Sequence, residues 1–196
     1  MTPRKTLQTR NRDFVALFNS LWYRDFPIDP GRLDINKRAL WTQHIANVVK
    51  GSADLLGLYT CYETGGKTDA VIEDQYGKKW AKVEWEWFQP HSPHVNEIDK
   101  LAACVEDADV FIYIGYGRLD VIDHSQLNMD KIRSRWRGID KPLFVFMVTF
   151  NKVAGYGREF FELETHVFRG DIDRKLRCQP ALPWKYEGTK WYRADA

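Results

Sequence analysis

The sequence predicts an α/β domain: a mixed β-sheet with helices packed on its faces. Three observations predict it. Two early stretches repeat their apolar residues every three to four positions, and a middle block alternates every second position. Two later runs, Val110–Ile114 and Leu143–Phe150, are continuously apolar but for Thr149, as strands buried on both faces are. At 196 residues the chain supports one sizeable core. It reads as a single domain, 1–196, with a core over about 35–150 and basic N- and C-terminal extensions.

From Asp13 onward Phe14, Leu17, Phe18, Leu21 and Trp22 form the stripe of an amphipathic helix, which Pro27, Pro30 and Gly31 end. A second helix is expected to start near Asp34 as N-cap, to present Trp41, Ile45, Val48 and Val49 on one face, and to stop at Gly51. Ser52–Gly57 then reads as a broken turn that extends it. Leu58–Glu63, Thr68–Glu73 and Trp80–Phe88 read as strands of an antiparallel meander. Next comes a helix over Val95–Glu106, with Val95, Ile98, Leu101, Ala102 and Val105 inward, and then the strand Val110–Ile114. A helix over Met129–Ile139 buries Met129, Ile132, Trp136 and Ile139 and turns Lys131, Arg133, Arg135 and Arg137 outward. Leu143–Phe150 and Glu159–Phe168 complete the strands, and the tail after Arg169 has no period and reads as coil or short elements. The order is ααβββαβαββ.

Composition excludes several function classes. A hydrophobic fraction of 44%, with 8 Trp, 9 Tyr and 11 Phe, belongs to a packed protein. There is no run of about 18 apolar residues, so no membrane span is expected. The basic segment Met1–Arg12 lacks the apolar stretch of a secretory signal, which predicts a cytoplasmic protein. Cys61, Cys104 and Cys178 are widely spaced and odd in number, fitting neither a disulfide framework nor a thiolate zinc site; they read as reduced and structural. Net charge is only +2, but it is uneven: Met1–Arg12 holds four basic and no acidic residues, and Arg169–Arg193 seven basic against three acidic. The tryptophans fall mostly on apolar stripes and read as core. His91-Ser-Pro-His94 reads as a loop, because Pro93 precludes a helix face. Gly115-Tyr-Gly117 has Asp120 where the dinucleotide fingerprint needs a third glycine, and it reads as a turn. P-loop and G-x-S-x-G motifs are missing.

The informative segment is Thr68–Trp87. With Tyr76-Gly77 as hairpin loop, residues 75 and 78, 72 and 81, and 69 and 84 pair. Alternation then puts Lys82, Glu84 and Glu86 on one face and Ala81, Val83, Trp85 and Trp87 on the other, while Ala70 and Ile72 of the partner strand share the apolar side. Asp69 faces Glu84. Opposed like charges cost a sheet about 0.2 to 1 kcal/mol per pair. A hard divalent cation compensates, since Mg²⁺ takes one or two carboxylates, keeps several waters and accepts a phosphate oxygen.

This segment resembles the PD-(D/E)xK motif of the restriction-endonuclease-like nuclease superfamily. In that motif an Asp precedes a hairpin and an acidic-x-Lys triplet follows it. Thr68-Asp69 stands at the Pro-Asp and Glu84-Trp85-Glu86 at the triplet, within the family's αβββαβ order, over roughly residues 35–115. Two positions depart from the pattern: Thr68 replaces Pro, and Glu86 replaces the Lys, as in some active restriction endonucleases. The resemblance implies a Mg²⁺-dependent endonuclease acting on DNA, with Mn²⁺ as substitute, most like a type II restriction enzyme. Asp69 and Glu84 would hold the metal, Glu86 would be a third ligand or position the water, and Glu63 a further ligand. Lys82 or Lys100 would supply the missing positive charge. Arg133, Arg135 and Arg137 are expected to reach DNA phosphates, and a homodimer follows if both strands of a symmetric site are cut. A repair or junction-resolving nuclease is the alternative within the class. A catalytically inactive nuclease-fold module that binds DNA or protein is the alternative outside it.

Overall fold

The computed structural model describes residues 7–24, 26, 36–64, 68–155, 157–187 and 190–193. Helices α1 (Leu7–Leu21) and α2 (Arg38–Leu55) precede a meander of β1 (Tyr59–Thr64), β2 (Thr68–Glu73) and β3 (Lys79–Trp85). Then follow α3 (Glu97–Ala103), a 3-10 turn over Val105–Asp107, β4 (Val110–Arg118), α4 (His124–Trp136), β5 (Leu143–Val153), β6 (Gly157–Arg169) and β7 (Ile172–Pro180). A separate hairpin pairs β8 (Trp184–Glu187) with β9 (Lys190–Arg193). Strands β1 to β7 form one sheet in chain order. Its two ends are antiparallel and its centre, β3-β4-β5, is parallel. Each parallel step needs a long crossover, and the segments carrying α3 and α4 supply these. The stretch from α2 to β4 therefore has the αβββαβ order, in a mixed sheet flanked by helices.

Strand parity sorts the core into two layers. Ala70, Ile72, Ala81, Val83, Ile112, Ile114, Phe146 and Val148 point to α1 and α2, meeting Phe14, Phe18, Trp22, Trp41, Ile45 and Val48. Phe111, Tyr113, Leu143, Val145 and Met147 point the other way, to Ile98 and Leu101 of α3 and Ile132 and Trp136 of α4. Trp22, Trp41, Trp80 and Trp136 are fully buried, so these four rings are core, as their stripes predict. Among the described residues no helix is long and apolar enough to cross a membrane.

Several boundaries differ from the sequence expectation. Asp34 lies outside the described residues; α2 begins at Arg38 with Lys37 at its N-cap and no side-chain cap bond. Gly51 does not stop α2. A Cβ there would come within 3.2 Å of Leu21 Cδ1, so the glycine serves the close approach of α1 while the helix runs on through buried Ser52 and Ala53. The helix expected over Met129–Ile139 starts earlier, at His124, and ends at Trp136 before Gly138 at φ 75°. The tail after Arg169 is not coil: β7 pairs with β6 along its length. Most of β7 is exposed, so its ladder leaves no hydrophobic period to read. Cys178, on this strand, is exposed and free rather than structural, and Cys61 and Cys104 are half-buried and free.

Gly115 and Gly117 lie inside β4, not in a turn. A Cβ on Gly115 would fall 2.5 Å from Tyr113 Cε1 and 2.7 Å from its hydroxyl oxygen, both on the α3 side of the sheet. The glycine is the space into which the Tyr113 ring folds. Gly115→Ala should therefore displace a fully buried ring at a cost of about 1–3 kcal/mol. Calorimetry should show a Tm lower by several degrees, and an unchanged Tm would mean that the ring has another place to go.

Candidate metal centre

The β2–β3 register pairs Ala70 with Val83 and Ile72 with Ala81, as the alternation requires. Toward the turn it slips: a bulge at Ile72/Glu73 shifts the pairing, and Asp74 rather than Gln75 closes the loop, donating its N–H to Lys78 O at 3.0 Å. Asp74 Oδ1 also accepts the Tyr76 and Lys78 N–H groups. At the other end of the hairpin Asp69 and Glu84 come together on the side covered by α3. Asp69 Oδ2 accepts the Trp85 N–H at 2.7 Å, so its carboxylate is tied across to the backbone of β3. Glu84 is 2% exposed and hydrogen-bonded to Asp69. The face that alternation marks as polar is thus not a solvated face, because α3 closes over it.

Burial makes the pair unusual acids. Glu84 is pushed up to about 8, first by burial and then by the neighbouring Asp69 charge, with Lys100 opposing. Asp69 is also raised by burial, against the lowering effects of the Trp85 N–H and of the Glu84 contact. Two carboxyl groups in hydrogen-bond contact share a proton and titrate as a unit. Lys100, on α3, sets its Nζ 3.9 Å from Glu84 Oε2 and 3.1 Å from Glu97 Oε1. Burial alone would lower this lysine; Glu97, Glu84 and Asp69 outweigh it and hold the ammonium above its usual range.

A cavity of about 210 Å³ opens here, lined by Asp69, Glu84, Glu86, Glu97, Lys100 and Arg38 among others. Glu86 lies beyond the end of β3, its Oε1 accepting the Phe88 N–H at 3.0 Å and standing 3.5 Å from the Arg38 guanidinium. Four of the residues singled out in the sequence, Asp69, Glu84, Glu86 and Lys100, therefore meet in one place. Lys82 does not join them, since its Nζ pairs with Asp107 at 2.8 Å. Glu63 is exposed on β1, at φ 51°, and does not line the cavity. Arg133 is held by Asp130 and Asp173 and Arg135 by Asp99, while Arg137 is exposed; none of the three lines the cavity.

Sequence reasoning missed Glu97 and Arg38. Each carried a weak signal. Glu97 precedes Leu101 by one helical turn, on the inward stripe of α3, and Arg38 precedes Trp41 and Ile45 by three and seven positions on the stripe of α2. A charged residue in phase with a buried stripe is a cue that the stripe ends at a polar cavity. Elsewhere, Glu162, Glu164 and Cys178 form the one trio of ligand atoms within 4.8 Å among the described residues. Glu164 there is already engaged by His166 and Lys175, and burial first, then Glu162, pushes the Cys178 thiol up to about 11. His91 and His94 lie in a loop, with His91 Nδ1 2.7 Å from Asn128 Oδ1.

No family model matches the sequence, and no curated protein matches it significantly. Three solved structures are similar in architecture. Pyrococcus furiosus SfsA, in complex with Ca²⁺, shares 10% identity over 62% of each chain at a TM-score of 0.36, so the chain spans somewhat under two thirds of that protein's length. The YaeQ protein of Xanthomonas axonopodis pv. citri shares 8% over 79% of this chain and 83% of that one, at 0.34. YaeQ of Pseudomonas syringae shares 10% over 62% and 67%, at 0.29. At such identities none of these likenesses assigns a residue or a reaction.

Proposed function

We propose that this protein is a Mg²⁺-dependent endonuclease that hydrolyses phosphodiester bonds of DNA. The observation that carries the reading is the buried contact of Asp69 and Glu84 on adjacent strands, with the Lys100 ammonium beside them. A carboxyl pair in a cavity offers a hard, oxygen-only donor set, and a divalent cation would compete with protons for it. Asp69 and Glu84 would hold the ion, which when bound polarises a phosphoryl oxygen and makes a bound water acidic. The residues of the chain do the rest. Lys100 places a fixed positive charge from α3, in the role that the motif assigns to the position of Glu86. Glu86 and Glu97 flank the pair as acceptors able to orient a water, and Arg38 holds the Glu86 carboxylate at the edge of the cavity.

The test is incubation of supercoiled plasmid with the protein in Mg²⁺, in Mn²⁺ and in EDTA. Nicked or linear product should form only with metal. A second reading, the inactive nuclease-fold module, draws on Glu86 at the motif Lys position. It takes over if no plasmid, mismatched or branched DNA is cut in either metal while DNA still binds.

A further inference from the structure

Beside the acidic cavity the structure holds a half-buried cation that has no counter-ion among the described residues. The guanidinium of Arg158, on β6, lies 3.8 Å from the Trp87 ring centroid, 4.2 Å from that of Phe150 and 5.2 Å from that of Tyr116. Its Nη2 donates to the Trp87 carbonyl at 3.0 Å, but Nη1 is sealed from solvent and has no acceptor among the described residues. No carboxylate comes within ion-pair distance of it among the described residues, and Glu86, whose charge it feels, is paired with Arg38. Burial lowers this guanidinium to about 10, with Tyr116 and Glu86 opposing, so it stays charged at neutral pH. Stacking on aromatic faces repays part of the cost of burying a cation. The rest calls for an anion.

A second orphaned donor sits against it. Tyr116 is 1% exposed, lines the acidic cavity, and its hydroxyl likewise has no partner among the described residues. Two buried donors without acceptors fit a ligand that offers acceptors only, as phosphate oxygens do. The way in is Trp87. Of the rings packed around Tyr116 and Arg158, Trp41, Phe150 and Phe160 are 1, 2 and 6% exposed, whereas Trp87 is half-buried. It also forms a wall of both the acidic cavity and a neighbouring groove of about 520 Å³ that runs along the β5–β6 turn past exposed Lys152. Arg158 already lines this groove as Tyr116 lines the cavity, so swinging the ring aside would join the two spaces and bring both residues to one opening.

We propose that Arg158 and Tyr116 form a phosphate subsite, gated by Trp87, that takes the nucleic-acid phosphate next to the one cleaved. The identity of the anion rests on the nuclease reading; the existence of the subsite does not. Titration calorimetry of thymidine 3′,5′-bisphosphate into the full chain in EDTA tests it without catalysis. Arg158→Met should weaken binding by about tenfold or more, the scale of a lost charge-assisted hydrogen bond. Tyr116→Phe covers the case in which the Arg158 variant fails to fold. It keeps the ring, so Tm should stay equal or rise as a partnerless hydroxyl is removed, while affinity falls several-fold. A structural role for the hydroxyl predicts the reverse, lower Tm with unchanged affinity, and that result overturns the proposal. Inorganic phosphate binding as tightly as the bisphosphate would overturn the assignment to a strand. Metal-dependent DNA cleavage with kcat/KM unchanged in both variants would overturn the subsite and leave the nuclease standing. Loss of bisphosphate binding in both, with no DNA cut by the wild type, would sustain the subsite and remove the nuclease.

Discussion

Asp69→Asn and Glu84→Gln should each lower Mg²⁺-dependent DNA cleavage by a factor of about a thousand or more, because each removes a charge that holds the ion while keeping side-chain size. The effect separates from folding through stability. In wild type Mg²⁺ or Mn²⁺ should raise Tm, as any ligand specific to the native state does, and the double variant should lose that response. Without metal the Glu84→Gln chain should melt no lower than wild type, since it no longer buries a second acid against Asp69. Glu86→Lys restores the usual triplet yet should reduce activity: Arg38 stands 3.5 Å from the Glu86 carboxylate and would oppose a lysine there. Equal metal-induced Tm shifts in wild type and the double variant would move the metal site away from this pair.

The largest solution effect without DNA should be a fall in stability with rising pH. Glu84 titrates near 8 in the folded chain, against about 4.3 for an ordinary glutamate, and Asp69 is raised beside it. Between these values the native state keeps a proton that the unfolded chain has released. The pair's contribution is therefore complete below about pH 4.3 and is lost as pH rises through about 8. Asp120, held down to about 2 mainly by its Arg118 hydrogen bonds, and Glu164, lowered mainly by His166, work in the opposite sense and are lost only in acid. Tm in EDTA should peak on the acid side and drop by roughly 5 °C or more from pH 5.5 to 8.5. Saturating Mg²⁺ should cancel the drop, because the cation takes the proton's place, and Mg²⁺ affinity should rise with pH up to about 8. Scanning calorimetry across this range decides it. A slope as steep in Glu84→Gln as in wild type would assign the pH dependence to other groups.

The hairpin shows how far the sequence reached toward this site. Alternation on both strands is a local property, since a one-residue slip would turn Ala70, Ile72, Ala81 and Val83 out of the core, and the register follows from it. The bulge at Ile72/Glu73 was not readable, because it depends on how Asp74 caps the turn with its own side chain. Nor was the choice between Lys82 and Lys100. Both were plausible from sequence, one by sharing a strand face with Glu84 and the other by following it in the next helix. The long lysine side chain goes to whichever carboxylate the tertiary fold sets nearby, Asp107 for Lys82 and Glu97 with Glu84 for Lys100.

What the sequence by itself determined is the part that periodicity and near-neighbour geometry encode: the αβββαβ order, the two-layered core, and the placement of Asp69 opposite Glu84. What only the tertiary structure decided is the environment of those groups. The closing of α3 over the polar face turns ordinary carboxyls into a desolvated pair whose pKa values are both raised. The approach of α2 brings Arg38 to Glu86, and β6 delivers Arg158, far along the chain, to the back of Trp87. Desolvation and charge pairing depend on distances across the fold, and no local pattern of residue types carries them.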